Sequence, residues 1–97
     1  MDLNLEKFLL KMNFTKSEII DMKSLAPTLD VTTLSEVKEV MQVLSQYGYP
    51  IEDLPELFYQ NPNIMTMSKE SLTQELEGLI SKNIDIEEYL KNDPFGI

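Results

Sequence analysis

The chain contains no cysteine, histidine, arginine or tryptophan among its 97 residues. Without cysteine it has no disulfide, no thiolate nucleophile and no zinc knuckle. Without histidine it lacks the side chain that most often serves as a metal ligand and as a general base near neutral pH. These absences exclude most catalytic chemistry. We therefore expect a protein that is not an enzyme, with no catalytic residue, no cofactor and no bound metal.

Positive charge is also scarce. Eight lysines face 17 acidic residues, which gives a net charge of −9, and residues 50–97 carry ten of the acids with only three of the lysines. A field of this sign repels nucleic acid and anionic membrane surfaces. No run approaches the roughly 18 apolar residues of a membrane span, and the first residues resemble neither a signal nor a transit peptide. The sequence predicts a cytoplasmic protein without a membrane partner.

What the chain does contain is 42% hydrophobic residues, with only three glycines and five prolines as interruptions. This composition is typical of a folded helical domain of modest size. No segment shows the sustained two-residue alternation of a half-buried strand. We expect one all-α domain over residues 1–97, without linkers or a domain boundary.

The sequence resembles itself at an offset of 35 residues. Apolar, turn and acidic positions recur in the same order, as expected of a helical repeat. The matched triplets are Leu9, Leu44 and Leu79; Asn13, Gly48 and Asn83; Phe14, Tyr49 and Ile84; Glu18, Asp53 and Glu88. The predicted units are residues 1–13 (partial), 14–48, 49–83 and 84–97 (partial). An irregular helical bundle with accidental self-similarity is the alternative.

The register fails at three places. Val40 aligns with Glu75, Val43 aligns with Gly78, and Pro94 comes three residues early. Within each unit, a short helix, a break at proline and a longer helix are predicted.

Capping residues mark the helix ends. Thr33 and Glu36 form a capping box before a helix predicted over residues 34–47, which Gly48 ends in the left-handed conformation. Thr15 begins a short helix in the same way, and its apolar pattern, Ile19, Ile20, Met22 and Leu25, closes at Pro27. Ser68 and Asp85 are further predicted N-caps, and Asn83 is a further helix end.

The connections after Pro27 and Pro62 contain apolar residues of their own: Leu29, Val31, Ile64 and Met65. We expect these connections to fold inward as short turns. Likewise, Leu72, Leu76, Leu79 and Ile80 are predicted to line the buried face of the helix that Ser68 begins.

The stretches 47–54 and 60–65, followed by Ser68 and the leucines at 72, 76 and 79, resemble the repeat of the mitochondrial transcription termination factor (mTERF) family. The resemblance covers about residues 5–94. It implies a short right- or left-curving α-solenoid of about 2.5 mTERF-like repeats with five or six helices. In that family a basic groove holds double-stranded nucleic acid. This acidic chain without arginine offers no position to which such a contact can be transferred.

The acidic residues near helix starts, Asp85 and Glu88 among them, complement the helix dipole and form no EF-hand pattern, so we interpret them as structural. Partner contact is instead predicted for apolar and aromatic residues that lie beside the core pattern or near the chain end. They are Tyr59, Met67, Phe95 and Ile97. For Phe95 and Ile97, covering the exposed face of the final repeat is the interpretation that we favour, and docking on another chain is the alternative.

The function predicted is a non-enzymatic macromolecular interaction module, an acidic helical repeat that binds a protein partner or a second copy of itself. Two alternatives stay open. One is an mTERF-like nucleic-acid-binding protein associated with transcription. The other is an acidic mimic of nucleic acid that occupies the groove of a basic protein.

Overall fold

Six α-helices and three short 3-10 helices make up the computed structural model, which describes all 97 residues and contains no strand. This confirms the predicted all-α class. The α-helices are α1 (Leu3–Lys11), α2 (Lys16–Leu25), α3 (Leu34–Gln46), α4 (Leu54–Gln60), α5 (Lys69–Ile80) and α6 (Ile86–Asn92); the 3-10 helices are η1 (Pro27–Val31), η2 (Ile51–Asp53) and η3 (Pro62–Thr66).

The predicted helix starts are confirmed. Thr15 and Thr33 each form a capping box with the glutamate three residues later. The side chains of Ser68 and Asp85 accept hydrogen bonds from the amides of the third residue beyond them. Each cap satisfies an amide that has no partner inside its helix.

Asp2 caps two helices at once. Its Oδ1 accepts a hydrogen bond from the Asn4 amide at 3.2 Å, in the first turn of α1. Its Oδ2 accepts from the Leu34 amide at 2.9 Å, in the first turn of α3. One carboxylate therefore joins the beginnings of two helices that lie far apart in the sequence.

Helices α1, α3 and α5 stand where the longer helix of each unit was predicted, and we call them the long helices although α1, with 9 residues, is shorter than α2, with 10. Their ends share one backbone geometry. Asn13, Gly48 and Asn83 have positive φ angles of 73°, 94° and 60°. In each case the following amide donates back to a leucine carbonyl: Phe14 to Leu9 at 3.1 Å, Tyr49 to Leu44 at 3.0 Å, and Ile84 to Leu79 at 3.1 Å. This is the left-handed C-terminal cap for which glycine and asparagine are favoured.

The breaks before proline also share a geometry. Ala26, Asn61 and Asp93 have φ and ψ angles of −131° and 79°, −139° and 82°, and −143° and 87°. Ala26 and Asn61 are 35 residues apart, whereas Asp93 comes three residues before the next position at that offset, because α6 is shorter than α2. The early Pro94 therefore follows a residue of the same backbone conformation as those before Pro27 and Pro62.

One cluster of 21 buried apolar side chains forms the core, and every α-helix contributes to it. The long helices pack side by side, α3 against both α1 and α5. The turns η1 and η3 contact each other, and η3 also contacts α2, α3 and α4. The proline turns are thus part of the packed interior.

Four apolar residues that we expected to be buried are exposed instead. Ile20, Leu25 and Ile80 are 64%, 63% and 43% exposed, and Val31 is 78% exposed. Helix α2 buries Ile19 and Met22. Its 3.6-residue period then places Ile20 and Leu25 outside the buried face, one on each side of it. In η1 only Leu29 turns inward.

Substitutions at Gly48 and Gly78 test the effect of backbone conformation without a steric clash, since a Cβ at either position would meet no atom within 4 Å. Gly48→Ala should destabilise the protein by about 1–2 kcal/mol, because its φ of 94° is unfavourable for an L side chain. Gly78→Ala should stabilise it by about 0.5–1 kcal/mol, because Gly78 lies inside α5. Urea denaturation of both variants tests this, and shifts of the same sign would contradict it.

Candidate interaction surface

Two of the four residues predicted for partner contact are exposed. Tyr59 is 40% exposed on α4, and Phe95 is 67% exposed near the chain end. Met67 and Ile97 are partly buried and pack against the core. The exposed aromatic rings are the groups available to a partner without rearrangement of the fold.

A buried asparagine holds together the segments that carry these two rings. Asn61, only 3% exposed, donates a hydrogen bond from Nδ2 to the Pro94 carbonyl at 2.8 Å. Asn61 follows Tyr59 by two residues, and Pro94 precedes Phe95. The end of α4 and residues 94–97 therefore touch. Sequence reasoning missed this contact, because the Asn61-Pro62 pair signals only a break.

The last residues fold back on α6. The Tyr89 hydroxyl donates to the Gly96 carbonyl at 3.3 Å, and Gly96 lies so close to the Tyr89 ring that a Cβ there would collide with it. Ile97 packs against the core. This arrangement fixes the segment while leaving the Phe95 ring in solvent.

Lys91 bridges α6 and η2 beside this region. Its Nζ donates to Asp53 Oδ2 and to Glu87 Oε2, each at 2.8 Å, and lies 5.9 Å from the centre of the Tyr49 ring. The hydrogen bonds that Lys91 donates, first to Asp53 and then to Glu87, raise the pKa of Lys91. A groove of about 250 Å³ beside Lys91 is lined by Tyr49, Asp53, Glu56, Gln60 and Lys91 itself.

Most of the acidic residues form no ion pair within the chain. Only Asp30, Asp53 and Glu87 form ion pairs, with the N-terminal amine, Lys23 and Lys91. On α4 and η2, Glu52 and Glu56 are exposed and form no ion pair. The exposed side of these two elements thus combines an aromatic ring with uncompensated carboxylates. We call Glu52, Glu56, Tyr59 and Phe95 the acidic aromatic surface.

Two larger grooves are open and mainly polar. One, of about 630 Å³, lies between the beginnings of α1 and α3, where Asp2 joins them. The other, of about 420 Å³, has Ile84 and Tyr89 among carboxylates of α6. No group of three or more acidic side chains is arranged to hold a metal ion. No helix is both long and apolar enough to cross a membrane.

Comparison of the chain with protein-family models, with curated proteins and with solved structures finds no match.

Proposed function

We propose that this protein is a non-enzymatic interaction module of the cytoplasm, in which about 2.5 mTERF-like helical units stack as a short solenoid and bind a basic protein. The recurrence of the left-handed caps at Asn13, Gly48 and Asn83 supports the stacking of equivalent units. The absence of histidine and cysteine supports a binding role over a catalytic one.

The acidic aromatic surface carries the proposal. Partly exposed aromatic rings supply a large contact area, and tyrosine is among the residues that dominate binding energy at interfaces. The carboxylates of Glu52 and Glu56 form no ion pair in the chain. A partner with lysine or arginine next to an apolar pocket would satisfy both features.

The test is capture of partners from a lysate on the immobilised protein, with elution by increasing salt. We expect basic proteins to be captured and released as the salt rises, since screening weakens exposed charge pairs. In titrations with a captured partner, Tyr59→Ala and Phe95→Ala should each weaken binding by about tenfold or more. Ile51→Ala, at a residue 60% exposed on η2, is the control and should change the affinity little.

Labelled duplex DNA distinguishes the remaining functions. Tight duplex binding with a steep salt dependence would contradict the proposal and favour the mTERF-like activity. If the captured proteins are nucleic-acid binders and duplex DNA competes with this chain for them, the chain acts as a mimic of nucleic acid. Binding unaffected by Tyr59→Ala and Phe95→Ala would exclude the acidic aromatic surface.

A further inference from the structure

One side of each long helix carries the same three positions at the 35-residue offset. We call these positions the stacking stripe. The last position of each set lies just beyond the end of its helix. The sets are Leu5, Phe8 and Met12 at α1; Val40, Val43 and Tyr47 at α3; and Glu75, Gly78 and Lys82 at α5. Spacings of three and four residues place each set on one side of its helix. The stripe is apolar in α1 and α3 and polar or small at α5.

In α1 and α3 the stripe faces the next long helix. The Nζ of Lys38, on α3, lies 5.7 Å from the centre of the Phe8 ring. The Tyr47 hydroxyl donates a hydrogen bond to the Glu77 carboxylate of α5, and this bond raises the pKa of Tyr47. Val40 and Val43 are 0% and 2% exposed. In α1 and α3 the stripe is therefore the surface that packs against the next long helix.

The α5 stripe is exposed throughout its length: Glu75, Gly78 and Lys82 all face solvent. Glu75 forms no ion pair, and no atom lies within 4 Å of a Cβ built on Gly78. A helix that packed here would bury an unpaired carboxylate, which is strongly unfavourable, and would find no side chain at Gly78 to pack against.

We infer that the α5 stripe is a cap, a surface that excludes a further helix of this kind, including a long helix of a second copy of the chain. Terminal units of stacked-repeat proteins need such polar outer faces to prevent uncontrolled association. This inference rests on the proposed stacking of equivalent units but not on the identity of any partner. A partner then binds the sides of the stack, where the acidic aromatic surface lies.

Transfer of the α3 stripe to α5 tests the cap. We expect Glu75→Val, Gly78→Val and Lys82→Tyr together to give a twofold or larger increase in mass over the original chain, measured by light scattering at equal concentration. The matched control, Glu70→Val, Gln74→Val and Ser81→Tyr, puts the same side chains at exposed positions about a quarter turn from the stripe, opposite the buried face of α5. It should leave the mass unchanged.

A folded stripe variant with the mass of the original chain would overturn the inference, as would an equal rise in the control. If the triple variant fails to fold by circular dichroism, Glu75→Leu with Gly78→Ala replaces it, because both new residues favour helix. That variant should associate more strongly than the original chain, and no increase would again overturn the cap. Capture of a basic partner is measured in a separate experiment. Failure of the proposed function would appear there as a loss of capture, whereas failure of the cap appears only in the mass of the variants.

Discussion

Replacement of Phe58 by alanine should destabilise the protein by about 3–5 kcal/mol. Phe58 is the largest of the fully buried side chains, with 0% of its surface exposed, and it lies on α4 next to the η3 turn at the centre of the fold. A domain of this size is stable by only about 5–15 kcal/mol. The variant should therefore be partly unfolded at or near 37 °C.

Urea denaturation followed by circular dichroism measures this loss, and Tyr59→Ala is the matched control. Tyr59 is the next residue on the same helix and is 40% exposed, so its truncation should destabilise the protein by about 1 kcal/mol or less. Similar losses for the two variants would show that α4 does not bury the face described here.

Leu29→Ala should be the second large effect, with a loss of about 2–5 kcal/mol. Leu29 is 0% exposed although it lies in η1, a five-residue connection between two helices. A connection on the surface would tolerate this change. The expected loss arises because η1 and η3 contact each other inside the core.

Val31→Ala is the control for Leu29→Ala. Val31 belongs to the same turn but is 78% exposed, so its truncation should change the free energy of unfolding by about 0.5 kcal/mol or less. Thermal unfolding of the two variants should show a large fall in the melting temperature for the first only. A fall of equal size in both would mean that η1 contributes through its backbone rather than through Leu29.

Helix boundaries and caps were predictable from sequence because they depend on neighbouring residues. Thr33 with Glu36 is sufficient to specify a capping box, and Gly48 is sufficient to specify a left-handed helix end. The helix predicted over residues 34–47 accordingly ends within one residue of the observed α3.

The exposed residues were harder to predict, because exposure depends on which element covers each face. Ile20 and Val31 have apolar side chains typical of a core, yet no neighbouring element covers them. The contact from Asn61 to the Pro94 carbonyl spans 33 positions and leaves no local signature. Of the acidic aromatic surface, the aromatic residues Tyr59 and Phe95 were predicted from sequence, whereas the contact between their segments required the structure.

The double cap at Asp2 makes two distant first turns depend on one side chain. When the Asp2 side chain rotates away, the amides of Asn4 and Leu34 lose their hydrogen-bond acceptor at the same moment. The first turns of α1 and α3 then open to solvent together. Hydrogen exchange at these two amides therefore follows one common opening rather than independent fraying of the two helices.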